Sequence, residues 1–404
     1  MKLQKSNKEV PFQKNEFIWL FLLFLACADF IGNGSTFMAI LLFFYTVTHL
    51  RQSKMSTQVV LLFLFSLSYF ICYWYNYSAG FSDILKLFFF PWTAYIFGST
   101  YTRDSESRSP LLVLIFTIAG GLLLHGALNM ISYRFFHRVD ERHARLAYDI
   151  WRRGYISVTT QGLLFLIPIG VATGLLFSKN RKWMVLACLI LIIAAYNAIM
   201  QAYRTFFVIL GLLLIGVFLY MLLSSSISTK RKISIIFAVG LLILLCVIIW
   251  SFNIAGFRSR ITSTRLYQRM THGDIINAGG RVLIWKSFFK TWLMHPFGGE
   301  KIALYRNHDF VHNFWLDIYR VAGVFPFIFS IIANVNDLVV QRRYARVSTD
   351  RHTVIIIRCC TAAVILGFMV EPVYIANPYV YYCYLIIQGG IWGTMRRKGA
   401  YYLR

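Results

Sequence analysis

The sequence predicts an all-α polytopic membrane protein with about twelve transmembrane helices. Three observations carry this. Hydrophobic residues make up 58% of the chain and charged residues only 14%, more apolar surface than a soluble core can hide. The mean hydropathy of +0.60 is concentrated in runs of roughly 15 to 23 residues, the length of helix that crosses a bilayer directly or with thinning or tilt. Lys and Arg gather in the short connections between those runs, as they do in cytoplasmic loops. No segment reads as a soluble domain, so residues 1–404 form a single integral membrane domain.

Taken in order, the apolar runs lie at about 16–30, 34–49, 58–76, 82–98, 110–132, 158–177, 183–200, 204–223, 233–251, 312–334, 353–371 and 375–393. Only Ile31-Gly32-Asn33 separates the first two, which fits either a hairpin of tilted helices or a displaced boundary. Lys2, Lys5, Lys8 and Lys14 resemble the charged region of a signal, but no small-residue cleavage site follows, so the first helix is expected to stay as an anchor. With the N-terminus in the cytoplasm, Arg51 and Lys54, Arg103 and Arg108, Lys179 to Lys182, Lys230 to Lys232, Arg342 to Arg351 and Arg396 to Lys398 all fall inside. The opposite face receives short connections and two long loops, 133–157 and 252–311.

The formal net charge is +25, from 41 Lys and Arg against 16 Asp and Glu. In a soluble protein that excess would indicate nucleic acid. Here topology accounts for much of it, and no nucleic-acid partner is expected. The two outer loops are nevertheless basic, with Arg134, Arg138, Arg142, Arg145, Arg152 and Arg153 in one, and Arg258, Arg260, Arg265, Arg269, Arg281, Lys286, Lys290, Lys301 and Arg306 in the other. Positive potential at an outer mouth favours an anionic ligand. Within these loops Val139–Trp151 and Gly280–Leu293 read as helices lying on the membrane interface; plain anchoring fits them as well as binding does.

Candidate chemistry is sparse. Arg204 stands at the start of the 204–223 run, where a guanidinium offers several donors to phosphate oxygens; a snorkelling helix-end cation is the alternative. Arg281 opens Gly-Arg-Val-Leu-Ile-Trp, His295-Pro296-Phe297-Gly298-Gly299 turns the chain back, and His312 precedes Asn313 at the next run, where it serves as a proton acceptor or as an ordinary interfacial histidine. Asp317 and Arg320, three apart, are expected to neutralise each other. Glu371 at a helix end is a candidate to orient Arg281, Arg204 or a sugar hydroxyl, and Arg358 lies inside an apolar run, where charge is costly. The seven cysteines, all in or beside apolar runs, read as packing residues. No His, Asp or Glu cluster has metal-ligand spacing, His308, Asp309 and His312 being the nearest, so neither a metal nor another cofactor is expected.

The ordered set from Arg204 to Gly323 resembles the O-antigen ligase and O-antigen polymerase family of bacterial envelope glycosyltransferases: an Arg at an external helix start, Gly-Arg-x-x-x-Trp, His-Pro-Phe-Gly-Gly, and His-Asn followed by Leu316 and Gly323. The chain departs from it at Tyr203, where the family often has Ser, and at Pro326, where it has a second Gly. The resemblance implies a helical bundle like other lipid-sugar (GT-C-like) glycosyltransferases in the bacterial cytoplasmic (inner) membrane, with the active site on the periplasmic face. It implies an undecaprenyl-pyrophosphate-linked saccharide as substrate, inverting transfer without a metal, and Arg204, Arg281 and His312 as the catalytic residues. Arg204 and Arg281 would also bind the substrate, with Asn313, Tyr305, Gln161 and Glu371 as further contacts, and Trp315 and Tyr155 as aromatic candidates for sugar stacking. Membrane lipid is an expected partner and a chain-length regulator a candidate one. Polymerisation of repeat units is the leading expectation; ligation to a lipid A core, and transport or flipping of a lipid-linked sugar, are the alternatives.

Overall fold

The computed structural model describes residues 14–49, 55–77, 80–105, 107, 109–136, 146–178, 180–223, 228–271 and 280–397. Its apolar runs form α1 (Lys14–Cys27), α2 (Gly34–His49), α3 (Thr57–Asn76), α4 (Phe81–Asp104) and α5 (Pro110–Phe136). After a small hairpin come α6 (Val158–Leu163), α7 (Leu166–Leu175), α8 (Arg181–Met200), α9 (Arg204–Leu223) and α10 (Thr229–Ser251). The second long connection carries α11 (Phe257–Thr262), α12 (Arg265–Thr271) and α13 (Arg281–Thr291). The chain closes with α14 (Phe314–Ala322), α15 (Val324–Val347), α16 (Arg351–Val370), α17 (Val373–Ala376) and α18 (Pro378–Arg397). Seven helical segments among the described residues are long and apolar enough to cross a membrane, at 57–76, 110–132, 158–175, 181–200, 204–223, 324–347 and 351–370. The architecture is that of an all-α, multi-pass membrane protein.

Two expectations are corrected. The described part of the expected helix Val139–Trp151 is not helical: Leu146–Asp149 (β1) pairs antiparallel with Gly154–Ser157 (β2), and residues 137–145, with Arg138, Arg142 and Arg145, lie outside the described residues. Also outside them are Lys2, Lys5, Lys8, Arg51, Lys54, Arg108, Lys179 and Lys398. The 312–334 run is not one helix, because Gly323 breaks it into α14 and α15 with φ of +83°. The cysteines bear out their packing role in part: Cys27, Cys72, Cys359, Cys360 and Cys383 are buried, whereas Cys188 is exposed.

Glycine sets the closest helix contacts. On α18, Gly389 and Gly393 are four apart and lie against α4, where a Cβ would come within 2.1 Å of the Tyr95 carbonyl oxygen and 2.0 Å of that of Ser99. Gly170 and Gly174 of α7 meet α16 in the same way, a Cβ there falling 2.5 and 2.7 Å from the Cα atoms of Cys360 and Ile356. Without a hydrophobic force between helices in lipid, such small-residue seams let backbones approach and gain dispersion contacts.

The helix ends gather at two poles. At one, Arg397 donates to the Ser107 carbonyl, joining the end of α18 to the α4–α5 connection. The hairpin docks at the other pole: Arg152 pairs with Asp29 at 3.0 Å, His125 Nε2 lies 3.3 Å from Asp149, and the Trp151 indole donates to the Ala28 carbonyl. The candidate site lies at this second pole.

Candidate active site

The site is built from chain breaks at the hairpin pole. His295-Pro296-Phe297-Gly298-Gly299 interlocks with the α14–α15 break: the Val324 N–H donates to the Pro296 carbonyl and the Gly299 N–H to that of Arg320. Asn76, the last residue of α3, donates its side-chain amide to the carbonyls of both Phe297 and Val321. These bonds fix where α14 starts. On the same lobe α13 buries Ile284 and Phe288 with Ile302, Leu304, Val311 and Tyr319, while Val282, Leu283 and Phe289 form an exposed apolar strip. The helix expected at Gly280–Leu293 is therefore present, packed on protein along one face. Its start is fixed by Gly280 at φ of +84° and by the Trp285 indole donating to the Val311 carbonyl.

His312 is held in an unusual conformation. Its φ is +61°, the left-handed region that costs a non-glycine residue about 1 kcal/mol or more. The Asp317 carboxylate grips the backbone on both sides of it, accepting the N–H of Val311 at 2.6 Å and of Asn313 at 3.0 Å. Arg320, the partner expected for Asp317, acts on it through charge alone, its guanidinium donating to the Asp309 carbonyl. Asn313 caps α14 by accepting the Leu316 N–H and donates to the Met369 carbonyl at the end of α16. Its amide is committed to positioning His312.

These elements converge on Glu371, which follows α16 and is 1% exposed. Its Oε1 accepts from Arg281 at 3.1 Å and from the Thr205 hydroxyl at 2.8 Å, and Oε2 accepts from Thr159 at 3.4 Å. His312 Nδ1, buried and without a hydrogen-bond partner, lies 3.8 Å from Oε2. Burial disfavours the charged carboxylate, but His312, the Arg281 guanidinium and the Thr205 hydroxyl outweigh it and hold the Glu371 pKa below the ordinary range. Arg204 is the half-buried first residue of α9, adjacent to Thr205. Arg281, His312 and Glu371 thus come together from separate parts of the chain, and Arg204 stands next to Thr205, whose hydroxyl donates to the same carboxylate.

Other expected contacts lie elsewhere. Gln161 is buried in the interior, accepting from Asn129 and donating to the Gly126 carbonyl and to Asn197. Tyr305 sits on the outer turn, its N–H donated to Ser287 and its ring under Arg306. Tyr155 stacks edge-on with Tyr148 in the hairpin, and Trp315 with Phe314 and Phe368. Sequence reasoning missed Thr159 and Thr205, whose hydroxyls carry no signal of their role. It also missed a cavity of about 170 Å³ beside α17, lined by Tyr69, Tyr73, Tyr374, Tyr379 and Tyr382 with Lys86; the tyrosine-rich stretch from 374 to 384 was its one visible mark.

The ligand atoms of Asp29, His125 and Asp149 lie within 4.8 Å of one another and form the one trio among the described residues able to hold a metal. Arg152 already occupies Asp29, and His308, Asp309 and His312 do not converge as a set.

The tyrosine at 203, where the resembling family often has Ser, packs its ring on Gly162, and Pro326 falls in the first turn of α15, where a missing N–H is tolerated. No protein-family model matches the chain, and no curated protein matches it at a significant level.

Proposed function

We propose that the chain is an inverting membrane glycosyltransferase that polymerises undecaprenyl-pyrophosphate-linked oligosaccharide repeat units, with Glu371 as the hub of its active site. The observation that supports this reading is the convergence of Arg281 and His312 on one buried carboxylate, with Arg204 beside Thr205, which donates to the same group. Glu371 fixes one edge of the Arg281 guanidinium, leaving other donors for the pyrophosphate, and Arg204 adds a second cation where negative charge develops on the leaving group. Two guanidinium groups supply the charge stabilisation that a metal would otherwise provide. With Nδ1 turned to Glu371, His312 keeps Nε2 for the acceptor hydroxyl; it takes that proton while the hydroxyl oxygen attacks the anomeric carbon and the pyrophosphate departs. Glu371 then stabilises the imidazolium, a role that a closure of less than about 1 Å would strengthen into a direct hydrogen bond.

In this reading the twelve apolar segments cross the bacterial inner membrane with the Glu371 pole in the periplasm. The tyrosine-lined cavity beside α17 offers the aromatic surface that sugars need, in place of Tyr305 or Gln161. Ligation to lipid A core uses the same residues with another acceptor.

The test is reconstitution of the purified protein with a lipid-linked repeat unit, with and without lipid A core, and sizing of the products. A ladder from the repeat unit alone is expected. Transfer only with the core present would reassign the protein as a ligase, and no new glycosidic bond would favour transport. His312→Asn, which tolerates the left-handed backbone, is expected to cut transfer by about 100-fold or more without lowering thermal stability. Products of normal length from that variant would remove His312 as the base.

A further inference from the structure

α9 and α16 both lead away from the Glu371 site, and between them lies a groove of about 290 Å³ lined by Leu212, Leu213, Gly216, Val217, Ala362 and Leu366, with Tyr220 and Arg358 at its far end. That volume is at the lower bound of small-molecule sites, roughly 300 Å³. Along α16 the groove runs from Ile355 to Leu366, about 16 Å at 1.5 Å per residue, over the middle of the Arg351–Val370 span, a length close to that of one acyl chain in half of a roughly 30 Å hydrocarbon core. The neighbouring face of α9 is open and apolar, Leu212, Ile215 and Leu219 each being about half exposed.

Arg358 makes this groove unlike an ordinary lipid-facing seam. It is exposed within a span, its guanidinium lies 5.7 Å from the Tyr220 ring centre, and among the described residues no carboxylate pairs with it. A helical side chain leans toward the helix N-terminus. Arg358 therefore reaches toward the Arg351 pole, where Arg342, Arg343 and Arg346 also lie. A cation near the foot of this apolar trough, reaching toward the Arg351 pole, complements an anionic head group carrying an acyl chain.

We infer that the α9–α16 groove is a binding site for an anionic phospholipid of the leaflet at the Arg351 pole, with its phosphate on Arg358 and one acyl chain along Gly216 toward Leu366. The site is independent of the transfer chemistry. Gly216 offers a clean probe, because a Cβ there meets nothing within 4 Å; a leucine fills the trough without forcing the helices apart.

The experiment is native mass spectrometry of the delipidated full chain in neutral detergent, titrated with phosphatidylglycerol or with phosphatidylcholine of the same acyl chains. The wild type is expected to retain phosphatidylglycerol about tenfold better, the worth of one charge-assisted contact. Arg358→Gln should abolish that preference, and Gly216→Leu should weaken retention of both lipids. Equal retention by the wild type, a preference that survives Arg358→Gln, or displacement of the lipid by inorganic phosphate would each overturn the assignment.

Discussion

At the scale of single residues, the site depends on strain at one position and charge at another. His312 adopts its left-handed backbone because Asp317 binds the N–H groups on either side of it, so an aspartate with no link to substrate sets where the imidazole points. Glu371 is nearly inaccessible yet ionised, since Arg281 and two threonine hydroxyls face it. A carboxyl whose folded pKa lies below its unfolded value of about 4.3 contributes stability that is fully present above that value. The contribution fades as pH falls through the depressed folded value. Glu371→Gln is therefore expected to be less stable than the wild type by about 1–3 kcal/mol near neutral pH, and the gap should close on acidification below about pH 4. Thermal unfolding in detergent across that range checks it. A gap independent of pH would mean that Glu371 is not the ionised partner of Arg281.

Among the elements, the interlock between the His-Pro-Phe-Gly-Gly turn and Gly323 governs whether α14 begins in the right place. A Cβ at Gly323 would stand 2.1 Å from the Pro296 carbonyl oxygen, in a backbone conformation that L side chains rarely adopt. Gly323→Ala is expected to displace the turn, lower the yield of folded protein and cut activity together; a variant with wild-type melting temperature and activity would show that the interlock is dispensable. This junction was legible in the sequence as turn residues, and Arg204, Arg281, His312 and Glu371 were legible because each stands beside a break in an apolar run. Thr205 and Thr159 were not, since a threonine at a helix end is ordinary until its partner is seen. The main bonds of Asp317 were not legible, because spacing along a helix points only to Arg320, whereas the first turn of α14 offers the carboxylate the backbone N–H groups of the preceding loop. Residues 146–149 were misread because pairing with 154–157, a tertiary fact, overrode their helical pattern. The glycine seams at 170 and 174 and at 389 and 393 were visible spacings whose meaning required knowing the partner helix.

For the whole molecule, the two poles differ in how their cations are used. At the Glu371 pole Arg281 and Arg152 are paired with the buried carboxylates of Glu371 and Asp29. Arg342 and Arg343, at the opposite end of α15, are exposed, as expected of charges that hold an orientation across a membrane. If orientation follows that bias, the Glu371 pole faces out, where a lipid-linked saccharide would meet it. Tyr305 is 36% exposed at this pole, so single cysteines at Tyr305 and Arg343 report the two faces. In intact cells a membrane-impermeant maleimide is expected to label Tyr305→Cys above the background of the parent protein, whose Cys188 is exposed only on an apolar helix. Arg343→Cys should react only after the membrane is opened. The reverse pattern would place the cluster in the cytoplasm and exclude a reaction on the outer face, and labelling of both in intact cells would mean that the two poles do not lie on opposite sides of the bilayer.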